Sequence, residues 1–188
     1  MAIRNGLGPK FGSVLAGAQK GSSRDFERLF LVYSGPITAF ATARGSDDPE
    51  GISNDVMLKV FQRLGTFTGE TEAAFTGWVF AIARNRLIDA HRAAQRRPVV
   101  ADGVEVPEQM MTESSEEAAL QGMSLQSTVA RLECLTDDQR DVIALRMVAD
   151  LSLQQVAEVI DRPVSAVKAL QRRGLRRLQK EILPAAVS

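Results

Sequence analysis

The sequence predicts an all-α protein, with two small helical domains joined by a flexible linker. Three observations carry this. Apolar residues recur at spacings of three and four along most of the chain, and no segment alternates in the manner of a strand. Two segments open with the Ser/Thr-x-x-Gln signature of a capping box, Thr136-Asp137-Asp138-Gln139 and Ser152-Leu153-Gln154-Gln155. Between the helical regions, 98–123 contains Pro98, Pro107 and a run of Ser, Thr and Glu, with six acidic and no basic residues over 102–117. Such a segment cannot bury enough apolar surface to fold alone. The expected organisation is a flexible tail over 1–21, a helical domain over 22–97, an acidic linker over 98–123, a second helical domain over 124–183 and a tail over 184–188.

The elements follow in order. Residues 1–21 carry five glycines, Gly6, Gly8, Gly12, Gly17 and Gly21, hence the expected flexible tail. Phe26, Leu29, Phe30, Tyr33 and Ile37 mark one buried helix face, and Pro36 is expected to kink or split that helix. Gly45 to Gly51 is a loop by composition. Ile52 to Leu64 is helical, with Val56, Val60, Phe61 and Leu64 on one face. Ala73 to Gln95 is a long helix, apolar at its start and basic at its end, where Arg84, Arg86, Arg92, Arg96 and Arg97 stand against Asp89 alone. Leu125 to Leu135 reads as one helix. The first capping box opens a helix to Met147, and the second opens a short one ending near Ile160. Asp161-Arg162-Pro163 is a turn, and Pro163 to Ile182 is the last helix, with proline in its first turn where a missing N–H costs nothing.

Composition bounds the function. The 188 residues are 45% hydrophobic and 24% charged, which excludes a wholly disordered chain. One cysteine, Cys134, permits no intrachain disulfide, so a reducing, cytoplasmic setting is expected. The longest uncharged run, Leu29 to Ala43, falls short of the roughly 20 apolar residues a membrane span needs, and no membrane insertion is expected. Neither a phosphate-cradling Gly-rich loop nor a nucleophile with an adjacent base is evident, so an enzyme with a small-molecule substrate or cofactor is not expected. His91, the only histidine, has no companion ligands beside it, and no metal site is expected.

The net charge is zero, with 23 basic and 23 acidic residues, and alone it argues against nucleic-acid binding. The distribution argues for it. From Arg162 to Glu181 there are seven basic residues and one acidic. Val167, Leu170, Leu178 and Ile182 mark the inner face of that last helix. Ser165, Lys168, Arg172 and Arg176 share another face, flanked by Arg173, Arg177 and Lys180. A short helix, a turn and a longer basic helix make a helix-turn-helix, whose second helix fits the DNA major groove.

The first domain contains Trp78-Val79-Phe80-Ala81-Ile82-Ala83-Arg84-Asn85-Arg86-Leu87-Ile88-Asp89-Ala90-His91-Arg92. This resembles the W-[LV]-x-x-I-A-R-N-x-x-I-D-x-x-R pattern of the extracytoplasmic-function group of bacterial sigma factors. Asp55 to Leu64 resembles the family's polymerase-binding helix. Leu135 to Arg140, and Val156 to Ile160 through Val167-Lys168, resemble its fourth conserved region. The resemblance covers roughly 22–97 and 124–183. It implies an initiation subunit partnered by core RNA polymerase and promoter DNA, with region 2 opening the minus-ten element and region 4 reading the minus-thirty-five element. It also implies an anti-sigma factor as partner.

Carried onto this sequence, the resemblance implies polymerase contacts from Asn54, Asp55, Lys59 and Arg63. It implies minus-ten contacts from Asn85, whose amide can pair with an exposed base edge, from Arg84 and Arg92 on phosphates, and from Phe67 against an extruded base. It implies minus-thirty-five contacts from Arg146, Ser165, Lys168, Arg172, Arg173 and Arg176. Plainer roles stand beside these: Phe67 can plug the domain, Trp78 can be core, Arg84 a solvated charge, Asp89 an intrahelical partner of Arg86 or Arg92, and Cys134 a small buried residue. The sequence departs from the family at Gly51, Asn54 and Asp55, where an acid followed by Gln-Glu is usual. Ala166, Ala169 and Gln171-Arg172 alter the groove-facing helix, so the promoter sequence does not carry over. Against this reading stand a dimeric helix-turn-helix regulator that binds DNA without polymerase, and a helical adaptor whose basic helix meets an acidic protein.

Overall fold

The computed structural model describes residues 6–96 and 132–182, and among them there are helices and no strand. Seven α-helices follow in chain order: α1 Phe11–Gln19, α2 Ser23–Ala43, α3 Pro49–Arg63, α4 Glu72–Arg96, α5 Asp137–Val148, α6 Leu153–Ile160 and α7 Val164–Ile182. Short 3-10 turns at Gly8–Lys10 and Leu64–Thr66 precede α1 and follow α3. The expected linker over 98–123, the start of the helix expected from Leu125 and the terminal tail lie outside the described residues.

The starts of α2 to α6 carry side-chain caps for backbone donors that would otherwise be orphaned. The Ser22 hydroxyl accepts from Asp25 N–H at 3.3 Å, Asp48 from Gly51 N–H at 2.8 Å, and Thr71 from Ala74 N–H at 3.1 Å. Both expected capping boxes form in full, Thr136 with Gln139 and Ser152 with Gln155. One expectation needs correction, and one alternative is decided. Residues 8–19 are not a flexible tail: Phe11, Val14, Leu15 and Ala18 are buried, and the N–H groups of Leu7 and Gly8 donate to the Glu72 carboxylate at 2.6 and 2.8 Å. The glycines hid an apolar face spaced three, one and three apart. Pro36 does not split its helix, because α2 runs unbroken from Ser23 to Ala43. Its buried face, Leu29, Tyr33, Ile37 and Phe40, packs on both sides of the proline and holds the turn. Ser53 of α3 donates to the Ser34 carbonyl there at 3.0 Å.

The core of the first unit interlocks α1, α2, α4 and the loop before α4 through aromatic rings. Phe75 meets Phe11, Tyr33 and Phe67 at centroid distances of 5.6, 5.3 and 5.1 Å, and Phe40 meets Phe80 at 5.6 Å. In the second unit α7 packs on α5 and α6, with Val167 fully buried. The two units share a seam: α6 lies on α4 and α5 on α2, and the buried apolar cluster runs through both.

Candidate nucleic-acid interface and polymerase face

α6 ends at Asp161, which takes the left-handed conformation (φ 53°, ψ 56°) and reverses the chain into Arg162 and Pro163. The Pro163 carbonyl then accepts from Ala166 and Val167 at 2.9 and 3.1 Å, starting α7. This is the expected helix-turn-helix. Val167 and Gly174 face inward, and Gly174 makes the closest approach, where a Cβ would stand 2.7 Å from Ile143 Cδ1. Ser165, Lys168, Arg172, Arg173, Arg176, Arg177 and Lys180 are all exposed. The terminal helix thus presents a continuous cationic face and buries none of its arginines. Such a face attracts a phosphate backbone by counterion release and matches a groove in width.

Arg146 is placed otherwise than expected. Its guanidinium donates to the Leu151 carbonyl, its Nε is buried, and the residue is only half-exposed. It fastens the turn between α5 and α6.

On the first unit, Asn85 and Arg92 are exposed on α4, seven residues apart and therefore on one face. Two neighbours in the expected minus-ten set are differently engaged. Phe67 is half-buried, with its ring 5.1 Å from that of Phe75 and 5.2 Å from that of Trp78, so it packs against the domain core. Arg84 points into the seam, with its Nε 2.8 Å from Asp141 Oδ2. Arg86 reaches across to Asp55 on α3, at 2.7 Å from Nη2, rather than along its own helix to Asp89. His91 is exposed, 2.8 Å from Gln95. Among the described residues no group of His, Cys, Asp and Glu is placed to hold a metal.

The α3 surface holds the expected polymerase set, with Asn54 and Arg63 exposed and Asp55 and Lys59 half-buried. Sequence reasoning missed the apolar part of this surface. Phe61, expected inside, is 52% exposed and packs edge-to-face on Phe26 at 4.8 Å, and Leu58 and Leu31 are 55% and 71% exposed. The signal was present: Leu58 and Phe61 are three apart, off the Val56–Val60 stripe. Also missed were Arg44 and Asp141. Asp141 is 1% exposed and receives a guanidinium from each of Arg44 and Arg84. Burial pushes its carboxyl above the usual range, against the pull of first Arg44 and then Arg84.

Comparison with known proteins settles the family. Sigma-70 region 2 matches residues 32–97, and Sigma-70, region 4 matches residues 131–180. The ECF RNA polymerase sigma factor SigX of Bacillus subtilis is 30% identical over 84% of this chain and 83% of its own length. The chain belongs to the extracytoplasmic-function (ECF) sigma factors. The ECF RNA polymerase sigma factor BldN of Streptomyces coelicolor is 28% identical over 89% of this chain, and the match spans 63% of BldN. The fold is similar to that of CnrH, solved in complex with the cytosolic domain of CnrY, with a TM-score of 0.69 at 21% identity over 93% of this chain and 97% of that one. In this ECF sigma factor α2–α4 make the body of region 2, and α5–α7 make region 4. No helix of the described residues is long and apolar enough to cross a membrane.

Proposed function

We propose that this chain seats region 2 on core RNA polymerase through the α3 face, opens the minus-ten element with α4, and reads the minus-thirty-five element with α7. One observation carries the reading: the second helix of the helix-turn-helix turns its whole basic side, Lys168, Arg172, Arg173 and Arg176, to solvent. Ser165 stands at its N-terminal end, where base edges are met in such motifs. Asn85 and Arg92 supply an amide and a cation to a separated strand. Leu58 and Phe61 are exposed beside Asn54, and Asp55, Lys59 and Arg63 line the flank of α3 next to them, so apolar and charged groups adjoin as in a protein-docking surface. An anti-sigma protein is proposed as the restraining partner, since CnrH was solved with the cytosolic domain of CnrY. The site of action is the cytoplasm, where polymerase and promoters are.

The test mixes the full chain with core RNA polymerase and a promoter template. Promoter-directed transcripts that require both components are expected, with weak duplex binding by the chain alone. Tight binding to duplex DNA without core enzyme, and no transcript with it, overturns the proposal in favour of a stand-alone regulator.

A further inference from the structure

The seam between regions 2 and 4 closes on one carboxylate. Asp141, on α5, is buried between Arg44, at the end of α2, and Arg84, in α4. Arg44 Nε lies 3.1 Å from Asp141 Oδ1 and Arg84 Nε lies 2.8 Å from Asp141 Oδ2, so two guanidiniums from region 2 converge on the two oxygens of one anion. Arg44 also donates to the Asp137 carbonyl at 3.1 Å and to the exposed Asp137 carboxylate at 3.2 Å, and Gln155 of α6 donates to the Ala73 carbonyl of α4 at 2.8 Å. These polar tethers cross the seam.

The chemistry of the Arg44–Arg84 pair is not specific to a carboxylate. A guanidinium presents the same N–H fork to the oxygens of a carboxylate and to the non-bridging oxygens of a phosphodiester. Arg84 adjoins Asn85 on α4, and the two arginine side chains are only 9% and 18% exposed while Asp141 is in place. The seam is also poorly paired for its depth. Arg44 Nε and Asp141 Oδ1 lie 3.1 Å apart as an ion pair, yet both are buried without a hydrogen-bond partner. A buried ion triad recovers little beyond its desolvation cost, so such a closure is readily exchanged for another anion.

We propose that Arg44 and Arg84 form a binding site for a nucleic-acid backbone phosphate, and that Asp141 fills this site from within when regions 2 and 4 are closed. The closed chain then offers its two DNA-binding surfaces unequally. The cations of α7 stay open, whereas the paired arginines beside α4 are masked until the regions part. Promoter strand and Asp141 compete for the same two guanidiniums. This deepens the proposed function and rests on α4 meeting the opened strand.

The test uses the full chain and a labelled single-stranded oligodeoxynucleotide of mixed sequence, read by fluorescence anisotropy across a salt series, with small-angle X-ray scattering to report separation of the regions. The variants are Asp141→Asn combined with Gln155→Ala and Asp137→Asn, which removes both carboxylate charges facing Arg44 and the Gln155–Ala73 tether, and Asp89→Asn, which removes one negative charge from the exposed side of α4. Thermal unfolding confirms that each is folded. The first is expected to show a larger radius of gyration and strand binding on the order of ten-fold tighter than Asp89→Asn, with a salt slope steeper by about 0.7 for each added phosphate contact. Adding Arg44→Gln or Arg84→Gln is expected to abolish the gain. An unchanged radius, an opened chain with no tighter binding, or a gain that survives both arginine substitutions overturns the proposal. Core-dependent initiation by the unaltered chain is scored separately, so a failed phosphate site is distinguishable from a failed assignment as initiation factor.

Discussion

Gly174 sets how closely α7, the second helix of the helix-turn-helix, lies on α5, and replacing it with alanine should unseat that helix without touching any basic residue. A Cβ there would stand 2.7 Å from Ile143 Cδ1 and 3.4 Å from Gln139 Cβ. Carbon atoms in good contact sit about 3.5–4.0 Å apart, so the first contact overlaps by roughly 1 Å. Ile143 is 2% exposed and has little room to retreat. Alanine gains about 1 kcal/mol over glycine in a helix interior, whereas overpacking costs about 1–3 kcal/mol. The balance is a loss of about 0–2 kcal/mol. At Gly77, inside α4, a Cβ would meet no packing neighbour within 4 Å, so alanine there keeps the gain alone. Denaturant unfolding should therefore rank Gly77→Ala above the parent and Gly174→Ala at or below it. Ile143→Val removes the clashing methyl. It should cost about 0.5–1.5 kcal/mol in the parent and markedly less in the Gly174→Ala background. Two substitutions that prove equally stabilising, with Ile143→Val additive, would refute the close approach.

Three further outcomes are expected. Asp161 holds φ 53° in the turn of the helix-turn-helix, so Asp161→Gly should stabilise region 4 by up to about 1 kcal/mol and Asp161→Val should destabilise it, as read by chemical denaturation. Tyr33, the single tyrosine, is fully buried against Thr76 at 3.0 Å, and burial, with Glu72 adding to it, pushes its hydroxyl well above the usual range. The fold thus favours the neutral phenol, and that stability is complete below the ordinary value of about 10 and is lost as pH rises beyond it. Phenolate absorbance should appear only with unfolding, and a reversible titration of the folded chain near pH 10 would contradict the burial. Arg172→Ala should lower the salt slope of duplex binding by about 0.9 if Arg172 meets one phosphate, and an unchanged slope removes it from that contact.

Much of the candidate site was legible before the structure because it depends on local rules. Capping boxes, the left-handed turn region after Ile160, the inward Val167 and the outward Lys168–Arg172 face follow from helix periodicity and hydrogen-bond satisfaction within a few residues. What failed depends on neighbours distant in sequence. Glycines drew residues 1–21 toward disorder, yet α1 is ordered by burial on α2 and by Glu72, some 65 residues away. Phe61 lies outward because α2 and α4 already cover Val56 and Val60, and periodicity alone does not say where the covered arc ends. Phe67 and Arg146 have the right residue types for nucleic acid, but ring packing and a turn carbonyl engage them first.

The sequence by itself determined α2 to α7, the two capping boxes, the helix-turn-helix and the basic face of α7, because each arises from interactions within one or two turns. The tertiary structure alone decided which cations are free. Arg84 and Arg92 are alike in sequence and lie two turns apart on the same helix, yet one is sealed against Asp141 and the other faces water. Charge is a property of the residue, whereas its availability depends on what the rest of the chain folds over it.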